Sequence, residues 1–207
     1  GVLGETMEDN YLAWSFACNE INIVLEREEY FLLEGLNVRE VAGTLLERYG
    51  KNDHQINWLA QQKEQYYLAH NKFALYPGAD KILEVLRENV PLGLVTGASK
   101  IRLDATLSTD FMSYFGVIVT GEQNIRPKPS PDPYLKAVRE LGMPPLCSIA
   151  VENAPLGIRS AKSAGLYCLA ISSTLDSKFL SEADVVVKNL YEAGEWMQSK
   201  IESGELR

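Results

Sequence analysis

The sequence is poor in the features that mark membrane proteins, disulfide-bonded proteins and nucleic-acid-binding proteins. No apolar run approaches the ~18 residues that a membrane-spanning helix requires, so no contact with a membrane is expected. The 207 residues include three cysteines, an odd number without CxxC spacing, which argues against a framework of disulfides. The net charge is −8, with 20 Lys and Arg against 28 Asp and Glu. Because nucleic-acid backbones bind clustered Lys and Arg, this balance argues against a nucleic-acid partner.

Histidines and common hydrolase motifs are also scarce. The two histidines, His54 and His70, are expected at the surface or partly packed on helices rather than at a metal. Neither HExxH nor GxSxG occurs, which argues against zinc hydrolysis and against acyl transfer by a serine. Cys147 and Cys168 lie in apolar, strand-like runs, so we expect buried thiols in a reducing, cytoplasmic compartment.

The periodicity of apolar residues changes about one third of the way along the chain. Helical spacing predicts helices over 8–23, 38–49 and 53–70. After Tyr76-Pro77-Gly78, short apolar strands alternate with amphipathic helices. The predicted strands are 92–96, 116–120, 148–151, 167–171 and 185–187, and the predicted helices are 79–89, 100–109, 132–141, 155–164 and 189–201. This alternation is typical of a doubly wound α/β fold, a parallel sheet covered by helices on both faces.

Three polar motifs follow successive strands, where ligands bind in such sheets. Thr96-Gly97-Ala98 offers a hydroxyl and backbone amides that can cradle a phosphate. Lys128 lies in a loop with four prolines at alternate positions, which fixes its direction and lets it neutralise a phosphoryl group. Glu152 and Asn153 present oxygens that can hold a hard cation such as Mg²⁺.

Each motif also has a simpler structural interpretation. Thr96 can cap the helix that follows it, and Lys128 can be a solvated lysine in a proline-rich turn. Glu152 and Asn153 can form a helix N-terminus. Their occurrence after three consecutive strands, in the order hydroxyl, lysine, acidic pair, favours a site that handles phosphate and magnesium.

The motifs resemble those of the haloacid dehalogenase-like superfamily, particularly its β-phosphoglucomutase and phosphoglycolate-phosphatase-like branch. The matching stretches are Gly1-Val2-Leu3, Tyr76-Pro77-Gly78-Ala79, Leu94-Val95-Thr96-Gly97, Lys128-Pro129-Ser130-Pro131-Asp132 and Val151-Glu152-Asn153-Ala154-Pro155-Leu156-Gly157-Ile158. The resemblance implies a Rossmann-like α/β core over 76–207. It also implies a helical cap domain over 5–75 and a core loop over 1–4.

The resemblance assigns roles to the first two motifs. It implies that the Thr96 hydroxyl and the amides of Gly97 and Ala98 bind the transferring phosphoryl group. It implies that Lys128 neutralises that group and the nucleophile.

The resemblance assigns the third motif to the metal. Glu152 and Asn153 would belong to the magnesium site, although relatives usually carry an aspartate where Asn153 stands, so this site has less negative charge. In the cap, Arg39 and Lys63 fall near positions that contact substrate in relatives. The alternative for both is an exposed cation on a helix.

The start of the chain departs from the family pattern. In relatives, the residues that match Gly1-Val2-Leu3 follow a strand ending in Asp-x-Asp, which supplies the nucleophile and the general acid/base. That strand is central in the family's sheet, and its absence would leave two strands without a partner. We expect it to precede Gly1 in the complete polypeptide or to come from a separate segment.

The function expected from these features is a magnesium-dependent phosphatase acting on a small phosphorylated metabolite through an aspartyl phosphate. A phosphosugar mutase is the alternative, but the histidine that mutases carry in the first cap helix is Asn10 here, which favours the phosphatase. Without the aspartates, the chain would be a phosphate- or metal-binding pseudoenzyme. A response-regulator receiver domain also combines Asp, Thr and Lys, but the inserted helical block argues against it. Sugar phosphates, phosphoglycolate and nucleotides stay open as substrates, and so does the oligomeric state.

Overall fold

The amino-terminal third is a block of helices in the computed structural model, which describes residues 1–123 and 125–205. The helices are α1 (Met7–Asn19), α2 (Arg27–Phe31), α3 (Val38–Arg48) and α4 (Ile56–His70). Apolar side chains at helical spacing meet in one buried cluster that includes Trp14, Leu45 and Leu59. Burying each such side chain contributes about 1.5–3 kcal/mol, so the block has a core of its own. At its two ends, the short strands β1 (Gly4–Glu5) and β2 (Ala74–Leu75) pair antiparallel.

Strands and helices alternate through the rest of the chain, as predicted. The helices are α5 (Ala79–Arg87), α6 (Lys100–Thr106), α7 (Thr109–Met112), α8 (Asp132–Glu140), α9 (Pro155–Ser163) and α10 (Leu190–Glu202). The strands are β3 (Gly93–Val95), β4 (Val117–Val119), β5 (Ile149–Glu152), β6 (Tyr167–Ile171) and β7 (Val185–Val187). No helix in these described ranges is both long and apolar enough to cross a membrane.

The strands are parallel and helices cover both of their faces. β3 pairs with β4, while β5, β6 and β7 form a second parallel sheet in that order. Successive side chains of β6 point to opposite faces. Cys168 and Ala170 pack in the cluster that contains α8 and α9, whereas Leu169 and Ile171 pack in the cluster that contains α5 and α10. The doubly wound α/β fold class is therefore confirmed.

A cavity of about 370 Å³ separates the two parallel half-sheets. It is lined by β3 and β5 along their lengths, from Leu92 and Ser148 at one end to Thr96 and Glu152 at the other. Within residues 1–123 and 125–205, β3 pairs only with β4, and β5 pairs only with β6. Each of these two strands therefore has one edge that faces the cavity instead of another strand.

One local expectation about a helix end is wrong. The predicted helix 100–109 ends at Thr106, because the Ser108 hydroxyl caps a separate short helix, α7. At the start of α8, the Asp132 carboxylate forms an ion pair with Arg126, and Pro131 occupies the cap position. The sequence analysis also did not predict α2, β1 or β2.

The expectation that Cys147 is buried is wrong as well. Two prolines start a 3₁₀ turn at Pro145–Cys147, and β5 begins only at Ile149, so Cys147 lies in the exposed turn. Cys168 is buried within β6, as predicted. His54 and His70 are exposed, as predicted.

Candidate active site

The three motifs predicted from the sequence meet at the carboxyl edge of the two half-sheets. Thr96 directly follows β3, and its N–H donates to Val119 O of β4 at 2.9 Å. Glu152 is the last residue of β5. The Lys128 ammonium donates to Glu152 Oε1 at 2.5 Å and approaches Val95 O at 3.4 Å. Lys128 therefore bridges the ends of β3 and β5.

The Lys128–Glu152 pair is almost completely buried. The side chains are 7% and 6% exposed, respectively. Buried charges are stable only when they are paired, so each of these groups depends on the other. The interpretation of Lys128 as a solvated lysine is wrong.

The Thr96 hydroxyl organises the turn after β3 instead of capping α6. Its oxygen accepts a hydrogen bond from Ala98 N at 3.1 Å. The cap of α6 is Ser99, which accepts from Arg102 N. The Thr96 hydroxyl keeps its own proton, which it can donate to an anionic oxygen.

Glu152 and Asn153 do not cap the helix that follows them. The cap residue of α9 is Ala154, which forms no side-chain cap. A Cβ atom placed on Gly157 would overlap the Glu152 carboxylate, so only glycine lets the first turn of α9 approach this closely. Asn153 donates from its backbone N–H to Glu152 Oε2 at 3.2 Å and from Nδ2 to Thr174 Oγ1 at 3.3 Å. The amide oxygen of Asn153 is therefore the atom left to meet a cation.

The donor chemistry of this pair fits a hard divalent cation. Carboxylate and amide oxygens on adjacent residues are the ligands that Mg²⁺ accepts. Residues 1–123 and 125–205 contain no group of three or more His, Cys, Asp or Glu placed to hold a metal. Glu152 and Asn153 would therefore supply two ligands with one negative charge, and the other ligands would come from elsewhere.

Tyr134 is a site residue that the sequence analysis missed. Its hydroxyl donates to Glu152 Oε1 at 2.6 Å, and its ring centroid lies 5.1 Å from Lys128 Nζ. Burial, with the neighbouring Glu152 carboxylate, raises the pKa of Tyr134 well above its usual value, so the hydroxyl remains a donor. The available signal was its position in the first turn of α8, directly after the lysine loop, on the helix face that Ala137 and Val138 share.

A second polar cluster joins the helical block to α6. Lys63 Nζ donates to Asn10 Oδ1 at 2.7 Å and to Glu64 Oε1 at 2.9 Å. Arg102 Nη1 donates to the same two oxygens, at 2.9 Å and 3.3 Å. Burial, followed by the charge of Arg102, lowers the pKa of Lys63 to about 7.

The two cap cations named from the resemblance occupy different environments. Lys63 is 1% exposed, so the interpretation as an exposed helix cation is wrong for this residue. Arg39 lies on the exposed face of α3. Among the described residues, Asn10, Glu34 and Arg102 line the cavity, whereas Arg39 and Lys63 do not. Direct substrate contact by Arg39 and Lys63 stays a prediction.

Comparison with known families and proteins gives matches over most of the chain. A sequence model of the haloacid dehalogenase-like hydrolases matches residues 1–171. Protein CbbY of Cereibacter sphaeroides is 33% identical over 183 residues, which cover 82% of this chain and 79% of that protein. Validoxylamine A 7'-phosphate phosphatase of Streptomyces hygroscopicus subsp. limoneus is 37% identical over 117 residues, or 56% of this chain. That alignment spans about half of the phosphatase, 55% of its length.

A solved structure matches nearly the whole chain. A putative beta-phosphoglucomutase from Bacteroides vulgatus superimposes with a TM-score of 0.85 at 25% identity. The superposition covers 98% of this chain and 85% of that one. The order of strands, the helical block and the edge at which the polar motifs meet therefore belong to a known architecture.

Proposed function

The chain belongs to the haloacid dehalogenase-like hydrolase family, and from this membership we propose that it is a magnesium-dependent phosphatase acting on a small phosphorylated metabolite. The printed names of two relatives, validoxylamine A 7'-phosphate phosphatase and a putative beta-phosphoglucomutase, support a phosphorylated sugar as the substrate class. The free thiols Cys18, Cys147 and Cys168 support a reducing, cytoplasmic location.

The buried ammonium of Lys128 is the observation that carries the proposal. It lies at the sheet edge beside Thr96 and within 2.5 Å of Glu152. Burying a lysine costs desolvation energy. Its positive charge can then stabilise an anionic group that binds next to it during the reaction. A phosphoryl group carries that charge, and its transfer depends mainly on positioning and on charge stabilisation.

The nucleophile belongs, in this proposal, to a further strand that occupies only the part of the cavity between β3 and β5 and ends at the carboxyl edge where Thr96, Lys128 and Glu152 lie. Such a strand would satisfy the two free edges, and parallel strands end at the same edge of a sheet. An aspartate at its carboxyl end would therefore lie beside Thr96, Lys128 and Glu152. Its carboxylate would attack phosphorus, the bond to the ester oxygen would break, and that oxygen would take a proton from a second acid. Water would then attack phosphorus and give a proton to that second group, which releases phosphate and regenerates both the carboxylate and the acid.

The residues of this chain would hold the phosphoryl group in place. The Thr96 hydroxyl would donate to one phosphoryl oxygen, and the amides of Gly97 and Ala98 would support it. In this structure the Ala98 amide donates to Thr96 Oγ1, so it would have to turn from that oxygen to the phosphoryl group. Lys128 would neutralise the charge shared by the phosphoryl group and the attacking carboxylate. Donors that are already oriented before the reaction stabilise the transition state without reorganisation.

Glu152 and Asn153 are the residues that would hold Mg²⁺. The ion, when bound, would neutralise phosphoryl oxygens and so lower the repulsion against an anionic nucleophile. Tyr134 and Lys128 both donate to Glu152 Oε1, whereas Oε2 accepts one longer hydrogen bond, from Asn153 N. Oε2 is therefore the oxygen of Glu152 that would bind the ion.

Asn10 supports a phosphatase over a mutase. Its Oδ1 accepts from Lys63 and Arg102, and its Nδ2 donates to Thr6 O at 2.8 Å. An amide held on both sides in this way has no proton to exchange near neutral pH. It cannot replace the histidine that the sugar mutases carry at this position.

Phosphate release by the Lys128→Ala variant tests the proposed function. The polypeptide that includes the additional strand is assayed with Mg²⁺ against a panel of phosphorylated sugars, polyols and carboxylic acids, and again with EDTA. Loss of the Lys128 charge is expected to lower kcat by at least about 100-fold, as removal of a transition-state donor does. The matched control is Lys81→Ala, on the exposed face of α5, which should retain full activity.

Two further measurements make the result decisive. Lys128→Met is included because it fills the same volume, and circular dichroism shows whether each variant is folded. A folded Lys128→Met variant with unchanged turnover would refute the role of Lys128. Absence of phosphate release by the wild type on every compound would refute the phosphatase function.

A further inference from the structure

The loop that follows α2 lies directly over the phosphate-binding edge of the core. A Cβ atom placed on Gly35 would lie 3.4 Å from Gly157 N and 3.6 Å from Lys128 Cδ. Gly35 has φ of +105°, a backbone conformation that favours glycine. Both this conformation and the close packing therefore require glycine at position 35. Glu34, the residue before Gly35, therefore lies in the loop that faces the leaving group of a substrate bound at this edge.

Glu34 lines the same cavity as Thr96, Lys128 and Glu152. Its Oε2 accepts a hydrogen bond from the Tyr30 hydroxyl at 2.5 Å. Tyr30 is 2% exposed, and burial, with the Glu34 charge, raises the pKa of Tyr30 well above its usual value. The buried Tyr30 hydroxyl thus remains a hydrogen-bond donor, and it orients the Glu34 carboxylate.

The cations on this side of the cavity already have partners. Lys63 and Arg102 both donate to Glu64 Oε1 and to Asn10 Oδ1. Two cations thus face two carboxylates, Glu34 and Glu64. Glu34 is the carboxylate of the pair without a cation within hydrogen-bond distance among the described residues.

A carboxylate in this position acts differently on different leaving groups. It accepts hydrogen bonds from hydroxyls and has no donor of its own when ionised. It repels a second phosphate or a carboxylate, because like charges placed together across an interface are unfavourable. The Glu34 carboxylate therefore distinguishes substrates by the charge of their leaving group.

Resting on the proposed phosphatase function, we infer that Glu34 is a specificity-determining residue. It selects phosphate monoesters whose leaving group is neutral and polyhydroxylated, and it rejects bisphosphates and phosphorylated carboxylic acids. The transferred group is still held by Thr96 and Lys128, so Glu34 acts on the choice of substrate and not on the bond that breaks.

The test compares substrates of the two kinds on wild type and Glu34→Gln. The polypeptide with the additional strand is assayed with Mg²⁺ on sorbitol 6-phosphate, fructose 1,6-bisphosphate and phosphoglycolate, and kcat/KM is measured for each. Wild type is expected to favour the neutral polyol ester by at least about tenfold, the ratio that corresponds to a modest charge repulsion. Glu34→Gln keeps an oxygen for Tyr30 but loses the charge, and it should raise kcat/KM for the two esters whose leaving group is anionic, fructose 1,6-bisphosphate and phosphoglycolate, by about tenfold.

The controls separate charge from fold and from turnover. Glu47→Gln makes the same charge change at an exposed position of α3 and should leave all three values unchanged. Equilibrium binding of the same compounds, measured by calorimetry, tests the selectivity even if the wild type hydrolyses none of them, an outcome that would refute only the phosphatase function. Equal preference of wild type and Glu34→Gln, in binding and in kcat/KM, would overturn the inference, and so would a wild-type preference for fructose 1,6-bisphosphate or phosphoglycolate.

Discussion

Glu152 is the side chain on which the site converges. Its Oε1 accepts from both Lys128 and Tyr134, and its Oε2 accepts only from the Asn153 backbone among the described residues. Two strong donors on one oxygen fix the plane of the carboxylate, as the outer partners of metal ligands do. The orientation of Oε2 is therefore decided by residues that would not touch the cation.

Tyr134→Phe tests this arrangement. The variant keeps the ring against Lys128 but removes the hydroxyl that binds Glu152. Losing such an outer partner typically weakens metal binding by about 10–100-fold, and a lost buried hydrogen bond costs about 1–3 kcal/mol of stability. Calorimetric titration with Mg²⁺ and urea unfolding measure the two effects. Tyr191→Phe, at a residue 67% exposed, should change neither quantity, and an unchanged Mg²⁺ affinity of Tyr134→Phe would contradict the positioning role.

Lys63 predicts a pH dependence of stability. Its folded pKa is lowered to about 7 by burial, whereas lysine in an unfolded chain titrates near ~10.4. Between these values the unfolded state binds more protons, so the free energy of unfolding rises with pH. We expect the difference in unfolding free energy between wild type and Lys63→Met to shift in favour of wild type from pH 7 to pH 9.

Urea titrations of both proteins at several pH values measure this difference. The control is Lys51→Met, at an exposed residue that follows α3, for which the difference should not change with pH. A difference for Lys63→Met that is also constant between pH 7 and pH 9 would show that Lys63 remains charged in its buried position.

Strands β3 and β5 each expose one backbone edge to the cavity. Thr96 N donates towards β4, and Tyr167 N of β6 binds Ser148 O. Because successive residues of a parallel strand present their backbone groups to opposite sides, Val95 and Val151 present theirs to the cavity. Unpaired backbone groups in such a position cost about 1–3 kcal/mol each, which favours a strand between them.

Hydrogen exchange of these two strands provides the corresponding prediction. In the 207-residue chain, the amides of Val95 and Val151 should exchange much faster than those of Leu169 and Ala170 in β6. β6 is paired on both sides, so it serves as the internal control. In a polypeptide that carries the additional strand, the amides of Val95 and Val151 should be protected as well as those of Leu169 and Ala170. Fast exchange at Val95 and Val151 in that polypeptide would contradict the proposed position of the strand.

The elements were predicted best where the apolar pattern is continuous. β6 and β7 lie where the sequence predicts them, because every side chain of a strand covered on both faces is apolar. Short pairings such as β1 and β2 have no such pattern and depend on the fold that brings them together. Helix ends were missed where a local hydrogen bond decides them, as at Ser108.

At the scale of the whole molecule, the candidate active site is assembled from distant parts of the chain. Glu34 and Asn10 come from the helical block, whereas Thr96, Lys128 and Glu152 come from the α/β part, and all five line one cavity. Arg102 of α6 connects the two parts through Asn10 and Glu64. The two regions fold around separate cores, so the proposed function would divide substrate selection and phosphoryl binding between them. The division at residues 4/5 and 75/76 stays a prediction.

The sequence by itself determined the α/β class, the helical block and the three strand-end motifs. These features depend on local chemistry: apolar periodicity, proline and glycine punctuation, and the rule that parallel strands end at one edge. Thr96, Lys128 and Glu152 could be named as site candidates for that reason.

Only the tertiary structure decided which side chains meet. It placed Tyr134 on Glu152, buried Lys63 next to Asn10, and brought Glu34 to the cavity that Thr96, Lys128 and Glu152 line. Such contacts join residues far apart in sequence, and no local periodicity encodes them. The charge that a buried group carries depends on these neighbours, because desolvation and pairing act only after the chain has folded.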